Sequence, residues 1–224
     1  MAVPKAGCSS VKSMLSRIDP TVPQIKDGRR GNLQNLHRIY PTMRFRVHRW
    51  KDYQGWWRIA VVRDPIKRLM SLYTDCIDQK RYLFNSPNMA RQRRLPLNPD
   101  PNFFFTHLDR YMAQASVIKH HALPARLFLG PQPFAFDRIY RTSELGKLAS
   151  DLSSRVGQTL RLPLLNQSAK NLAFRDLDRA TQLSLMPRLN KEYTYLSAFF
   201  SNPFERQTGR SHGRKAPKGA QINL

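Results

Sequence analysis

The sequence predicts an α/β domain built on a central parallel sheet flanked by helices. Two stretches carry this prediction, because each combines a short apolar segment, a polar loop and an amphipathic helix. A chain of 224 residues with 41% apolar residues is also long enough to bury one core of this kind. We therefore expect one domain over residues 1–204. Residues 205–224 are rich in Lys, Arg, Gly and Pro without an apolar period, which predicts a disordered basic tail.

The first of these stretches opens the chain. Met1–Val3 is predicted to be a short strand, and the helix after the loop has apolar residues at helical spacing: Val11, Met14, Leu15 and Ile18. The loop and the first helical turn contain small, hydroxylated and basic residues: Lys5, Ala6, Gly7, Cys8, Ser9, Ser10 and Lys12. Free N–H groups and the dipole at a helix N-terminus favour an anion, which indicates a phosphate-type site. The loop lacks the Walker spacing, and an ordinary capped turn is the alternative.

The second stretch begins with Arg58–Val62, an apolar run that predicts a buried strand. Asp64 is a good N-cap, and Pro65 suits the first position of the following helix. That helix has one apolar face, formed by Ile66, Leu69, Met70, Tyr73 and Ile77. Arg63 ends the strand and Ser71 lies about two turns into the helix. Both side chains are therefore expected to reach a ligand at the carboxyl edge of the sheet.

Both stretches resemble motifs of one enzyme family. Residues 4–12, with the letters PKAGCSSVK, resemble the 5′-phosphosulfate-binding loop of sulfotransferases that use 3′-phosphoadenosine-5′-phosphosulfate (PAPS). Residues 61–73, with the letters VVRDPIKRLMSLY, resemble their 3′-phosphate-binding motif. The Pro-Lys-x-x-Cys opening and Lys12 are most similar to the carbohydrate sulfotransferases of the human-natural-killer-epitope and chondroitin 4-O type. The resemblance implies a P-loop-like sulfotransferase fold and metal-free, in-line transfer of a sulfuryl group from PAPS to a carbohydrate hydroxyl.

The resemblance also implies roles for the residues of the two motifs. Lys5 would stabilise the charge that develops on the leaving oxygen, and the loop residues Lys5–Ser10, together with Lys12, would hold the 5′-phosphosulfate. Arg63 and Ser71 would bind the 3′-phosphate, which distinguishes PAPS from ATP. Cys8 would shape the loop and would not act as a nucleophile.

His48 is the first candidate for the general base that takes the acceptor proton, and His121 is the second. His48 lies on the polar face of Met43–His48, whose strict alternation predicts a half-buried strand, and a His-Arg pair stands at a similar place in the resembling family. His121 belongs to a segment, Lys119–Pro124, that resembles the His-x-x-Pro element of the same family. No role is predicted for His37 or His120.

The rest of the chain supplies further secondary-structure predictions. Helices are expected at Phe103–Ser116 and Leu177–Phe200, the second broken or kinked at Pro187. A strand is expected at Phe136–Tyr140, followed by a helix that ends at Gly157. The irregular basic segment between Lys80 and Pro101 is expected either to select the acceptor or to be a solvated insertion.

The net charge restricts the class of partner. The chain carries 38 Lys and Arg against 15 Asp and Glu, a formal charge of +23, which favours anionic partners. An anionic polysaccharide or a glycolipid acceptor is compatible with this charge. A nucleic-acid- or polyanion-binding protein without catalysis is the alternative, although no zinc-finger, RNA-recognition or helix-turn-helix pattern is present.

Cysteine content and hydropathy exclude other classes. Cys8 and Cys76 are the only cysteines, too few for a disulfide framework or a metal site. The sequence has no apolar run of about 18 residues and no recognisable signal peptide. We therefore expect a cytoplasmic enzyme without a transmembrane segment.

Overall fold

A computed structural model describes residues 3–22, 30–91, 94–131, 135–163 and 172–205, and for residues 30–34 only the backbone. Two short parallel strands lie among helices: β1, Ile59–Val62, and β2, Arg138–Arg141. Ile59 pairs with Arg138 and Val62 with Arg141. The predicted parallel arrangement is thus present as one pair of strands within the described ranges. The predicted basic tail lies almost entirely outside them.

Helices make up most of the described chain. In chain order they are α1 Cys8–Leu15, α2 Arg30–Ile39, α3 Val47–Lys51, α4 Pro65–Leu72, α5 Pro87–Arg91, α6 Pro101–Thr106, α7 Leu108–Gln114, α8 Ser116–Ala122, α9 Arg126–Leu129, α10 Leu145–Val156 and α11 Arg179–Tyr195. A π-helix, Tyr73–Gln79, follows α4 directly, and Thr142–Glu144 and Phe174–Asp176 are 3₁₀ turns.

The β1–α4 unit agrees with its sequence signals. Asp64 caps α4 by accepting a hydrogen bond from the Lys67 N–H at 2.9 Å, and Pro65 is the first helical residue. The strand residues Ala60, Val61 and Val62 are buried. Strong local signals therefore place Arg63 at the carboxyl end of β1.

The other helix predictions agree in part. Gly157 ends α10 with a φ of 68°, as expected of a C-terminal glycine. The helix expected at Phe103–Ser116 is divided into α6 and α7 at His107. The last helix, α11, continues through Pro187 instead of breaking there.

The strand prediction at Met43–His48 is wrong. Residues 43–46 form no regular structure and Val47 begins α3, where its side chain is 65% exposed. The Phe45 N–H donates to Leu127 O, and this backbone hydrogen bond links the segment to another part of the described fold. A segment with alternating apolar and polar residues forms a strand only where a second strand pairs with it.

The strand predicted at Met1–Val3 falls mostly outside the described residues, because Met1–Ala2 is not among them. After Val3 the chain turns, with the Ala6 N–H donating to Val3 O at 3.1 Å. Val3 is buried and packs against Ala60 and Val62 of β1.

Both faces of β1 are covered. On one face, Ala60 and Val62 pack with Val3 and Ala6 of the first loop. On the other face, Val61 packs with the apolar residues of α1, β2 and α10: Val11, Met14, Tyr140, Leu148, Ala149 and Leu152. The first loop therefore rests on a strand that is buried on both sides.

A buried ion pair holds α4, α8 and α11 together. Arg68 Nη2 lies 3.1 Å from Glu192 Oε2 and also donates to Leu123 O, while Nη1 donates to His121 O at 3.3 Å. Glu192 in turn accepts from the Ala125 N–H. Arg68 thereby fixes the end of α8 that carries His121.

We expect Glu192→Ala to lower the free energy of unfolding by about 3–5 kcal/mol, because it leaves the Arg68 guanidinium buried without its carboxylate. Urea denaturation measures the change. Asp109→Ala is the control, since it removes the ion pair between Asp109 and Arg188 of α11. In that pair the Asp109 side chain is 85% exposed. Asp109→Ala should lower the free energy of unfolding by less than about 1 kcal/mol. An equal decrease in the two variants would contradict the prediction.

Candidate active site

The two sequence motifs meet at the carboxyl end of β1. Arg63, the first residue after this strand, donates from Nη1 to the carbonyl oxygen of Lys5 at 3.1 Å. Burial lowers the pKa of Arg63, while the neighbouring Asp64 opposes that shift. A guanidinium and the first loop are thus joined at the sheet edge where ligands of open α/β folds bind.

The backbone of the loop is tightly constrained. Lys5 and Gly7 both have left-handed backbones, with φ of 67° and 74°. Such a φ is uncommon for a residue with a Cβ, and strain of this kind concentrates at functional sites. Gly7 also approaches the start of α10 so closely that a Cβ built on it would lie 3.0 Å from Leu145 Cδ1. Glycine is therefore favoured at position 7 by its φ, and an added Cβ would also displace the Leu145 side chain.

The side chain of Lys5 is held by an ion pair that the sequence analysis missed. Its Nζ donates to Oδ2 of Asp75, in the π-helix, and Lys80 Nζ lies 3.0 Å from Oδ1 of the same carboxylate. Burial favours the neutral acid, but Lys5 and Lys80 outweigh it and lower the pKa of Asp75. Asp75 follows Ser71 by four residues along the motif helix, and this spacing was the available signal.

A second missed group surrounds Lys12. The side chain of Lys12 is only 4% exposed, and its Nζ donates to Thr42 Oγ1 at 2.7 Å and to His37 Nδ1 at 3.1 Å. An ammonium can only donate, so Nδ1 accepts and the proton of His37 is on Nε2, 3.0 Å from Ser9 Oγ. Helix α2 thus covers the loop through His37, for which no role was predicted.

Burial and charge modify the acid–base properties of this group. Burial lowers the pKa of Lys12. Partial burial and the Lys12 ammonium lower the pKa of His37 to about 4. His37 is therefore neutral at pH 7, and within the described residues no carboxylate pairs with Lys12.

The remaining loop and motif residues lie as follows. Ser71 is buried in α4 and its Oγ donates to Arg68 O at 2.8 Å. Ser10 is buried and Cys8 is half-buried, with a free thiol. Cys76 is also free, and burial raises the pKa of its thiol to about 12, so it is an inert core residue.

Of the two candidate bases, the structure brings His121 to Lys5. Burial, followed by the Lys5 and His120 charges, lowers the pKa of His121 to about 3. Its Nδ1 is shielded from solvent and has no hydrogen-bond partner in the described part of the chain. His120 is a direct neighbour, with the two rings 5.2 Å apart.

His48 lies elsewhere. It is exposed on α3, a helix whose Trp50 contacts Arg58 at 4.8 Å and Phe136 at 4.8 Å. Both contacted residues precede strands, so α3 is attached at the amino ends of the sheet, away from Arg63.

Two other kinds of feature are absent from the described residues. Within the described ranges, no group of three or more His, Cys, Asp or Glu side chains is arranged to hold a metal ion. None of the helices that the structure describes is long and apolar enough to cross a membrane.

We expect Gly7→Ala to destabilise the fold more than Gly157→Ala. Gly157 has almost the same backbone, with φ 68° and ψ 16° against 74° and 18°, but a Cβ there meets nothing within 4 Å. The control should cost about 1–2 kcal/mol for the left-handed φ alone. Gly7→Ala should add about 1–3 kcal/mol from contact with Leu145. Equal unfolding free energies in urea would contradict the close approach.

The comparison with known families agrees with this geometry. The profile described as "Sulfotransferase family" matches residues 1–191, a range that contains the first loop, Arg63, Asp75 and both candidate histidines. No curated protein and no solved structure matches the chain significantly. Since the family match covers 191 of 224 residues and includes both motifs that meet at the end of β1, the chain belongs to the sulfotransferase family.

Proposed function

We propose that this sulfotransferase transfers a sulfuryl group from PAPS to a hydroxyl of a carbohydrate. The observation that supports the proposal best is the hydrogen bond between Arg63 and the Lys5 carbonyl. This bond places the loop that resembles a phosphosulfate site beside the motif that resembles a 3′-phosphate site. A donor with anionic groups at both ends fits such an arrangement.

The residues present suit an anionic nucleotide. Lys12 is a buried ammonium whose partners are the neutral groups of His37 and Thr42, so an anion nearby would compensate its charge. The N-terminus of α1 adds backbone donors and a favourable dipole.

The mechanism follows from the chemistry of these groups. PAPS, when bound, supplies an activated sulfuryl group. Lys5 stabilises the negative charge that develops on the leaving oxygen, since an ammonium in a partly buried site acts more strongly than in water. Arg63 and Ser71 hold the 3′-phosphate. In this structure the Ser71 hydroxyl donates to the Arg68 carbonyl at 2.8 Å, so it would exchange that acceptor for the phosphate.

His121 takes the acceptor proton in this proposal. Its low pKa keeps the imidazole neutral, and therefore able to accept a proton, throughout the physiological range. The unpartnered Nδ1 is a buried polar atom that a hydrogen bond from a ligand would satisfy. Negative charge beside Lys5 raises the pKa of His121 and strengthens it as a base. His48, at the other end of the sheet, is the weaker candidate.

The acceptor class is supported by the sequence resemblance and by the net charge. With a formal charge of +23, the protein attracts acidic glycans such as an anionic polysaccharide or glycolipid. The cytoplasmic location predicted from the sequence stays a prediction.

Titration calorimetry with 3′,5′-adenosine bisphosphate tests the donor. We expect tighter binding than for ATP or 5′-AMP, and a loss of about 10- to 100-fold in Arg63→Ala, as for one charge-assisted contact. Arg141→Ala is the matched control, because Arg141 ends the neighbouring strand β2 and pairs with Glu144 instead. It should leave the affinity unchanged.

Other results of this titration are equally informative. Equal affinity for 5′-AMP and the bisphosphate would contradict the 3′-phosphate site. A folded protein that binds an oligonucleotide but none of the three nucleotides would favour the nucleic-acid alternative. Transfer from radiolabelled PAPS to desulfated chondroitin, dermatan or a lactosyl glycolipid then tests the acceptor class.

A second prediction concerns the base. His121→Gln should lower turnover about 100-fold or more while 3′,5′-adenosine bisphosphate binds as before. His48→Gln should leave turnover unchanged. Because burial and Lys5 lower the pKa of His121 in the free enzyme, and donor charge raises it, the acid limb of kcat should lie at higher pH than that of kcat/KM. If only His48→Gln lost turnover, His48 and not His121 would be the general base.

A further inference from the structure

The carboxylate of Asp75 is the one anionic group that contacts Lys5 in the described part of the chain. Asp75 is only 7% exposed, and Lys5 Nζ donates directly to its Oδ2. Lys80 Nζ contacts both carboxylate oxygens, at 3.0 Å and 3.1 Å. Two ammonium groups thus share one carboxylate, which leaves one net positive charge in the cluster.

The π-helix is what creates this cluster. Its backbone bond from Lys80 N–H to Asp75 O, 3.0 Å long, links residues five apart. In an α-helix, residues five apart point about 140° away from each other, since each residue turns by about 100°. The wider turn instead stacks Lys80 over Asp75. A rare helical form at this position therefore serves an ion pair with the loop.

The ion pair restricts a lysine that is otherwise flexible. A lysine ammonium lies at the end of four rotatable bonds and carries three donors. Asp75 fixes its position with one of these donors and leaves the others for an anion. The backbone of Lys5 is fixed separately, by Arg63 at its carbonyl.

We propose that Asp75 is a positioning residue for Lys5: it orients the ammonium for sulfuryl transfer and, by its negative charge, weakens the binding of anions in the loop. Asp75 touches neither donor nor acceptor in this arrangement and acts only through Lys5. The inference rests on the proposed function of the loop, and it assigns a role to a residue outside both motif signatures.

Asp75→Asn tests the proposal, because the amide keeps the shape and one acceptor oxygen but removes the charge. Turnover with desulfated chondroitin should fall about tenfold or more, as expected when a reacting group is misplaced. Calorimetry should show 3′,5′-adenosine bisphosphate bound about threefold or more tightly, because a nearby negative charge is gone. A residue with only a structural role would instead weaken nucleotide binding and lower the melting temperature.

Asp78→Asn is the matched control. Asp78 lies on the same π-helix but is exposed. Like Asp75→Asn, this substitution removes one negative charge from the protein, but it does not alter the Lys5 cluster. Turnover and the affinity for 3′,5′-adenosine bisphosphate should therefore both stay at the wild-type values. Unchanged turnover in Asp75→Asn, or weaker nucleotide binding, would overturn the proposal.

Asp75→Glu is the second variant, for use if Asp75→Asn does not fold. It keeps the negative charge but moves the carboxylate by one methylene. We expect it to bind 3′,5′-adenosine bisphosphate as the wild type does and to turn over more slowly. Wild-type turnover in Asp75→Glu would then overturn the proposal.

Inorganic sulfate separates this inference from the proposed function. A wild-type protein that does not bind 3′,5′-adenosine bisphosphate contradicts the PAPS proposal. The charge on Asp75 still opposes any anion beside Lys5, so Asp75→Asn should bind inorganic sulfate more tightly than the wild type. Equal sulfate affinity would overturn the role of Asp75.

Discussion

The hydrogen bond from Arg63 to the carbonyl of Lys5 is the contact on which the whole site depends. It fixes a residue whose left-handed backbone is unfavourable, and it does so from the end of a strand buried on both faces. The Lys5 side chain is fixed from the helix that follows the same strand, through Asp75. One βα unit therefore holds both the backbone and the side chain of Lys5.

The cationic side chains Arg63, Lys12 and Lys5 differ in whether their partners within the protein are neutral or charged. Arg63 contacts a carbonyl, and Lys12 contacts an imidazole and a hydroxyl, all of them neutral. An anionic ligand competes well with neutral partners, because charge-assisted hydrogen bonds are the stronger ones. Lys5 alone of these three has an anionic partner. Arg63 and Lys12 can thus exchange neutral partners for an anionic ligand, whereas the Lys5 ammonium is held by a charged partner.

Local signals explain which features were predictable. The strand β1, the capping residue Asp64 and the loop before α1 depend on neighbours in sequence, and they were predicted from the chain alone. The sulfotransferase family followed from the same two stretches.

Contacts between distant segments explain the failures. Lys12 and His37 are 25 residues apart, and their contact depends on how α2 packs, which no local pattern encodes. The alternation at Met43–His48 was genuine but had no partner strand, so it placed His48 on a sheet where none exists. Asp75 was missed because its contact with Lys5 joins residues 70 apart in the sequence.

The small sheet gives these side-chain contacts their importance. A pair of short strands is marginal by itself, and here helices on both faces complete its burial. Before the loop, the Val3 carbonyl accepts from the Ala6 N–H and closes a turn. Three contacts of the described residues hold the loop itself: the Gly7–Leu145 approach, the Arg63 bond and the Asp75 ion pair. Each of these contacts depends on one or two side chains, so a single substitution is enough to change it.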